Sequence, residues 1–354
     1  MIRQFTSAAA SPAERGEEFG SRHAAQIAST VDVYRRVFGI VGDLDSLGEV
    51  ALDRIREFAP DLAEEIRGMA GGAGVPVSHL AAVNARTEIL AIAARATGTG
   101  PPSECSTVVC LGDDEAEPVA MQTWDWYPEL ADNWLEWTIT HPDGRRVVTV
   151  TEYGIVGKIG VNAYGVGLLL NILHHRADGA GMGVPAHVVA RHILDTASTV
   201  HSGLSLAGTA RVSASSTITL VAARRAGKTA ISAELWPGGP GHVLPTPDGL
   251  LVHTNHFLSD PARIGDLKPL EAPDTLVRYE VLQRRLTRHA GHADADQVLA
   301  VLADHTGGLC CHPDPAPTAG PTYATLATIR LDLAAGTTVT HAGGPCTLQH
   351  SIMD

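Results

Sequence analysis

The hydrophobic pattern of this chain changes period once, at the loose run "TGTGPPSE" just ahead of Cys105. Upstream, to about residue 97, the chain reads as helices. Leu47, Ala51, Ile55 and Phe58 form one apolar stripe at helical spacing. "DLAEEIRGMAGG" reads as a helix with Asp61 as N-cap, Glu64 three residues on, Leu62, Ile66 and Met69 on one face, and Gly71-Gly72 as the stop. Another helix is expected from Ser78, with Leu80, Val83 and Thr87 on one side. Downstream, "STVVCLGD", "VAMQTWDW", "WLEWTIT", "RRVVTVTEYG" and "GKIGVNAYGVGLLLNIL" read as strands separated by Gly, Pro or Asp. A helical interlude, "VPAHVVARHILDTAST", precedes the strands "SSTITLVAA" and "TAISAEL". Two helices, "DTLVRYEVLQRRLTRH" and "DADQVLAVLADH", come before the last strands, "TYATLATIRLDL" and "TTVTHAG". Strands in runs and helices in blocks predict an α+β layered fold with mostly antiparallel sheets.

A chain of 354 residues can bury a large core, as one large domain or two smaller ones. Its formal charge of −13, from 26 Lys+Arg against 39 Asp+Glu, argues against nucleic acid as a partner, because phosphates call for a basic footprint. Five cysteines, two of them adjacent at Cys310-Cys311, argue against a disulfide framework. The opening "MIRQFTSAAASPAERGEE" lacks an apolar core of the secretory kind, and no run approaches the length of a membrane span. A reducing, cytoplasmic location and no membrane partner are expected.

Cys105 stands where the loop meets a strand. A cysteine there is often a small buried hydrophobe. A nucleophilic one must lose its proton, since an ordinary thiol is mostly protonated at neutral pH. One of the 17 histidines is one available base. The other belongs to a cysteine that becomes first in its chain, whose α-amino group titrates at about 7.7–8.0. That solution requires the Glu104–Cys105 bond to be cut, and a Gly/Pro-rich loop before a strand suits such a cut.

The order of motifs favours the second solution. "EEIRGMAGGAGV", "NARTEI", "ECST", "QTWDW", "EYGIVGKIGVNAYGVGLLLNIL", "VPAHVVARHIL", "VHTNHF", "CCHPD" and "TLATIRLDL" span nearly the whole chain. In this order they resemble the acyl-coenzyme A:6-aminopenicillanic acid acyltransferase family of N-terminal-nucleophile (Ntn) hydrolases, and more distantly the bile salt hydrolase and penicillin V acylase group. The resemblance implies a four-layer αββα fold. Residues 1–104 would be a helical segment released as the smaller chain, and residues 105–354 the catalytic segment, the two packing as one domain. Cys105 would be the nucleophile, Asp125 the residue that orients its amine and thiol, Asn255 an oxyanion donor, and Asn171 a second position near the oxyanion. Trp124 and Trp126 would shape the acyl pocket, with core packing as the alternative. Glu104 stands where a glycine is familiar at the cut, and Gln122 where the bile salt hydrolase group has an arginine.

The implied activity is hydrolysis of a small N-acylated amine or peptide-like amide through an acyl-Cys105 thioester, without a cofactor. Transfer of the acyl group from an acyl-CoA to an amine is the alternative, and a homo-oligomer is left open. Two readings from other classes are a metal-dependent hydrolase and an uncut binding protein. For the first, His253/His256, His174/His175 and Cys310-Cys311-His312 are candidates, but none matches HExxH or paired CxxC spacing, so no metal is expected. Cys110 is expected to be inert in the core. The arginines Arg278, Arg284, Arg285 and Arg288 are expected on a solvated helix face.

Overall fold

The computed structural model describes residues 2–39, 43–98, 100, 104–113, 116–224, 227–289, 291–313 and 323–348. Strand β1 (Gln4–Thr6) is followed by helices α1 (Pro12–Arg22), α2 (Ala24–Phe38), α3 (Leu44–Phe58), α4 (Pro60–Ala73), α5 (Val77–Asn84) and α6 (Arg86–Thr97). Then come β2 (Glu104–Cys110), β3 (Val119–Trp126), β4 (Trp134–Thr140), β5 (Arg146–Glu152), β6 (Ile159–Asn162) and β7 (Val166–Ile172). Helices α7 (Ala186–Thr196) and α8 (Val200–Thr209) precede β8 (Ser216–Arg224), β9 (Gly227–Leu235), β10 (Gly241–Val243) and β11 (Leu250–His253). The chain ends with α9 (Lys268–Glu271), α10 (Asp274–Leu286), α11 (Ala295–Leu302), β12 (Ala324–Asp332) and β13 (Thr337–Ala342).

Among the described residues these strands form two sheets, ordered β1-β4-β5-β6-β7-β8-β9-β10 and β11-β2-β3-β12-β13. All pairings are antiparallel except β1 with β4. The sheets face each other through β2 and β7 and through β13 and β5, while α7 and α8 cover one outer face and α10 and α11 the other. The predicted αββα layering is therefore the observed one. Alternation along β2 assigns its side chains to two environments. Cys105 and Val109 join the core between the sheets, while Val108 and Cys110 pack with Val281, Leu282 and Val298 beneath the helices.

Polar side chains also join the sheets. Gln122 on β3 donates to the Leu170 carbonyl at 2.5 Å and accepts from the Leu170 N–H at 3.0 Å, replacing a ladder bond on β7. Thr107 on β2 donates to Asn171 Oδ1 on β7 at 2.7 Å.

The helical region differs from expectation in one instructive place. Helix α4 starts at Pro60, which fits a first turn because it needs no N–H partner, so Asp61 lies inside the helix and Ala59 caps it. It runs through Gly71-Gly72 and stops at Gly74, which is left-handed at φ 68°. The glycines have a packing reason: a Cβ at Gly72 would sit 2.3 Å from the Glu17 carbonyl, and one at Gly16 would sit 2.0 Å from the Glu65 carbonyl. Helices α1 and α4 thus touch backbone to backbone. The helix expected from Ser78 starts one residue earlier and divides at Ala85 into α5 and α6.

The helical segment 1–97 shares its buried core with the sheets that follow. Arg191 on α7 reaches Glu65 on α4 at 2.8 Å, and Glu65 also takes the buried guanidinium of Arg15. Asn84 Nδ2 donates to the Gly154 carbonyl at 2.7 Å, and Asn84 Oδ1 accepts from the Val156 N–H at 3.0 Å.

Candidate active site

Cys105 is 4% exposed at the start of β2, opposite Trp124 of β3. Side chains from distant segments hold its own backbone. Its N–H donates to Asn255 Oδ1 at 3.0 Å. Its carbonyl accepts from Asn171 Nδ2 at 3.1 Å and from Arg278 Nη1 at 3.1 Å. Arg278 Nη2 also donates to Asn255 Oδ1 at 2.9 Å, so one guanidinium bridges the two groups that flank the cysteine. Asp274, one turn earlier on α10, accepts from Arg278 Nε at 2.9 Å and fixes the fork.

The predicted residues converge, each in a definite posture. Asn171 sits near the end of β7, with Oδ1 on Thr107 and Nδ2 on the Cys105 carbonyl and, at 3.3 Å, the His253 carbonyl. Asn255 follows β11; its N–H donates to Thr275 Oγ1 at 2.9 Å and its Nδ2 to the Ile172 carbonyl at 2.9 Å. Its oxygen grips the Cys105 nitrogen here, and an oxyanion would have to draw the amide nitrogen away from Ile172. Asp125 lies opposite Glu104 in the ladder and takes a 2.6 Å hydrogen bond on Oδ1 from Thr325 of β12. The Glu104 side chain lies outside the described residues, as do positions 101–103 before it.

On the inner side lies a buried cationic group that no single motif announced. Lys158 Nζ stands 3.3 Å from the centre of the Trp124 ring and 3.7 Å from Glu152 Oε2. Arg86 covers Trp126 at 4.2 Å and donates to Glu152 Oε2 at 3.1 Å. Tyr34 donates to the other Glu152 oxygen and accepts from Trp126 Nε1. The two tryptophans therefore share one face of β3 and floor these cations, a favourable use of the ring's negative face.

Burial sets the titration of the site. It raises the Cys105 thiol above its ordinary range, and the charge of Asp125 adds to the effect; Lys158, the Asp125 N–H and Arg278 pull the other way. Burial lowers Lys158 to about 7, against the attraction of Glu152. Cys110, with burial acting alone, is pushed up to about 12.

Arg278 corrects the reading of its helix. It is fully buried, on the face of α10 that also carries Thr275, Val281, Leu282 and Leu286, not on the solvated face with Arg284. Its spacing from Val281 and Leu282 was the available signal. The histidine pairs are occupied elsewhere: His253 Nε2 meets Glu234 Oε1 at 2.7 Å, and His174 Nδ1 meets Glu271 at 2.8 Å.

Comparison with known proteins shows a family relationship. Residues 110–345 match the family described as acyl-coenzyme A:6-aminopenicillanic acid acyl-transferase, a span that begins beyond Cys105. The chain is 28% identical over 292 residues, 80% of its length and 77% of the relative's, to the 40 kDa form of acyl-coenzyme A:6-aminopenicillanic-acid-acyltransferase from Emericella nidulans. Among solved structures it is similar to penicillin V acylase from Agrobacterium tumefaciens, with a TM-score of 0.38 and 12% identity, covering 67% of this chain and 83% of that one. No described helix is long and apolar enough to cross a membrane.

Proposed function

Because the chain belongs to the acyl-coenzyme A:6-aminopenicillanic acid acyltransferase family, we propose that it is a cysteine amidohydrolase that makes its own N-terminal nucleophile. The Cys105 Sγ attacks the Glu104 carbonyl carbon, the bond to the Cys105 nitrogen breaks, and that nitrogen leaves with a proton. Water then hydrolyses the Glu104 thioester, giving a Glu104 carboxylate, a free thiol and a free α-amine. In each later turnover Sγ attacks an amide carbonyl, the α-amine passes its proton to the leaving amine, and water resolves the acyl-Cys105 thioester. Asp125 orients the amine and thiol, and Asn255 and Asn171 serve the amine and the oxyanion. Trp124 and Trp126 form the acyl wall.

One observation carries the reading. Cys105, near the start of β2, has its nitrogen held by Asn255 and its carbonyl held by Asn171 and Arg278. Ahead of the proposed cut, Gly100 runs against Glu271, where a Cβ would sit 2.0 Å from Oε2. The two products stay together through Glu65–Arg191, Arg86–Glu152 and the shared core.

Intact mass spectrometry of the protein beside a Cys105→Ala variant tests the proposal. Two species divided before Cys105, and one uncut chain in the variant, are expected. A single wild-type chain with cysteine-dependent amidase activity would remove self-processing from the account. The names of the family and of the Emericella nidulans relative favour a second reading, in which an acyl-CoA loads Cys105 and an amine receives the acyl group. Measuring free acid against acylated amine, over N-acyl amines and acyl-CoAs, separates the two. A reducing cytoplasm suits an enzyme whose chemistry depends on a reduced Cys105 thiol.

A further inference from the structure

Away from Cys105, the connection that follows α11 and the turn near the end of the described chain bring two histidines and two cysteines together. Ligand atoms of His305, Cys310, His312 and Cys346 all lie within 4.8 Å of one another. His312 Nε2 is 3.1 Å from His305 Nε2, 3.6 Å from Cys310 Sγ and 3.3 Å from Cys346 Sγ. A tetrahedral zinc with Zn–S of about 2.3 Å and Zn–N of about 2.0–2.1 Å would separate its ligand atoms by roughly 3.3–3.8 Å. The two sulfur contacts of His312 fall in that range, the His305–His312 contact is slightly shorter, and the remaining pairs lie within 4.8 Å, so a small adjustment would seat the ion. We propose that these four side chains form a Cys2His2 site for one tetrahedral divalent cation of the zinc class.

The surroundings support a cation over chance proximity. The His305 and His312 rings lie side by side at 5.1 Å and 26°, with their Nε2 atoms 3.1 Å apart. Cys310 is buried, and the backbone comes close behind it: a Cβ on Gly344 would sit 2.5 Å from its sulfur. The other three ligands are exposed, which gives the ion an entry path. Two thiolates and two imidazoles are a set that zinc prefers and calcium or magnesium does not. Binding replaces the two thiol protons, so each ion bound releases two protons to solvent. Simple spacing rules miss the set because Cys346 comes from a separate turn, 34 residues beyond His312.

The site would serve as a staple beneath Asp125. Cys311, next to the ligand Cys310, exchanges backbone and side-chain hydrogen bonds with Thr325 at 2.9 Å, and Thr325 is the residue that donates to Asp125. Cys311 itself is outside the set, because its sulfur turns to the Tyr323 carbonyl.

Metal analysis of the full chain, purified without chelator, is the test. One zinc per chain is expected, in the protein and equally in its Cys105→Ala variant, so the result does not depend on self-cleavage. Cobalt added to chelator-stripped protein should give tetrahedral ligand-field bands and a thiolate-to-cobalt charge-transfer band. Cys346→Ser and His305→Ala, both at exposed positions, should lose stoichiometric metal and the band, and Cys311→Ser should keep them. The proposal is overturned if the parent binds neither zinc nor cobalt stoichiometrically, or if the two ligand variants bind like the parent. A Cys310–Cys346 disulfide in native peptide maps would overturn it as well.

Discussion

Replacing Lys158 by methionine gives a measurable test of how the site is charged. The lysine is 2% exposed, and its Nζ makes no hydrogen bond among the described residues; the Trp124 face and the Glu152 carboxylate are its compensation. Burial lowers it from an ordinary 10.5 to about 7. The folded value lies below the unfolded one, so the folded state binds fewer protons between about pH 7 and 10.5. The penalty is therefore complete below pH 7 and fades as pH rises through that window. At about 1.36 kcal/mol per pKa unit, it is on the order of 5 kcal/mol at pH 6. Roughly 2 kcal/mol of it is relieved by pH 8.5. Methionine keeps an apolar stem without the charge and forfeits a cation–π contact worth about 2 kcal/mol. In a Cys105→Ala background, which on the proposed route keeps the chain in one piece, Lys158→Met should be more stable than its parent at pH 6. That advantage should shrink by about 2 kcal/mol at pH 8.5. Urea unfolding at constant ionic strength measures it, and the variant-minus-parent difference cancels the titration of Tyr34 and Cys110. An advantage that does not change with pH would refute the reasoning.

The other tests follow from buried charges of the same kind. Glu88 is raised to about 8 by burial, so its folded carboxyl keeps a proton the unfolded chain loses, and stability falls as pH rises from about 4.5 toward 8. Glu88→Gln, which still accepts from the Ala186 N–H, should equal the parent near pH 4.5 and exceed it by about 4 kcal/mol at pH 8 in chemical denaturation. Glu65→Gln leaves Arg15 and Arg191 without their shared carboxylate, and calorimetry should record a loss of about 3–5 kcal/mol. Arg278→Met removes charge-assisted hydrogen bonds worth about 1.5–3 kcal/mol each, so self-cleavage followed by gel time course should slow by at least about tenfold while circular dichroism is unchanged.

Where strand-forming residues run between turn residues, the chain was readable. "VAMQTWDW" and "WLEWTIT" are β3 and β4 residue for residue, because apolar, aromatic and Thr-rich runs are bounded by Pro, Asp or Asn. Where a residue served packing, local rules misled. Gly71-Gly72 looked like a stop, yet α4 continues because Gly72 lets the backbone of α1 approach. The division between α5 and α6 at Ala85 carries no Gly or Pro, so nothing local marked it. At the site, Cys105 stood out where a loop meets a strand, whereas Asn171 and Asn255 were reached through the family resemblance, and all three lie together in the fold. Arg278 was misplaced because a run of arginines suggests a wet face, and only burial of the helix stripe distinguishes it. Lys158 and Arg86 were legible as motif members without roles, since their pairing with Trp124, Trp126 and Glu152 exists only in three dimensions.

On the proposed route, the bond to Asn255 supplies a driving force for the cut. Before it, Asn255 Oδ1 accepts from a neutral amide N–H of Cys105 and from Arg278, filling both lone pairs. After it, the same oxygen faces an α-amine that carries a proton below its pKa. A neutral hydrogen bond is worth about 0.5–1.5 kcal/mol and one to a charged donor about 1.5–3, so the geometry favours the cut product without any rearrangement. The acid-base balance shifts the same way. In the uncut chain, burial and Asp125 keep the thiol protonated. An ammonium beside Sγ adds a positive charge next to the sulfur, while Lys158 and Arg278 already favour the thiolate from either side. An overall acidic protein thus gathers cations around one sulfur. The first cleavage is then the slow event, performed by a thiol that is not yet activated, and its product is the activated form.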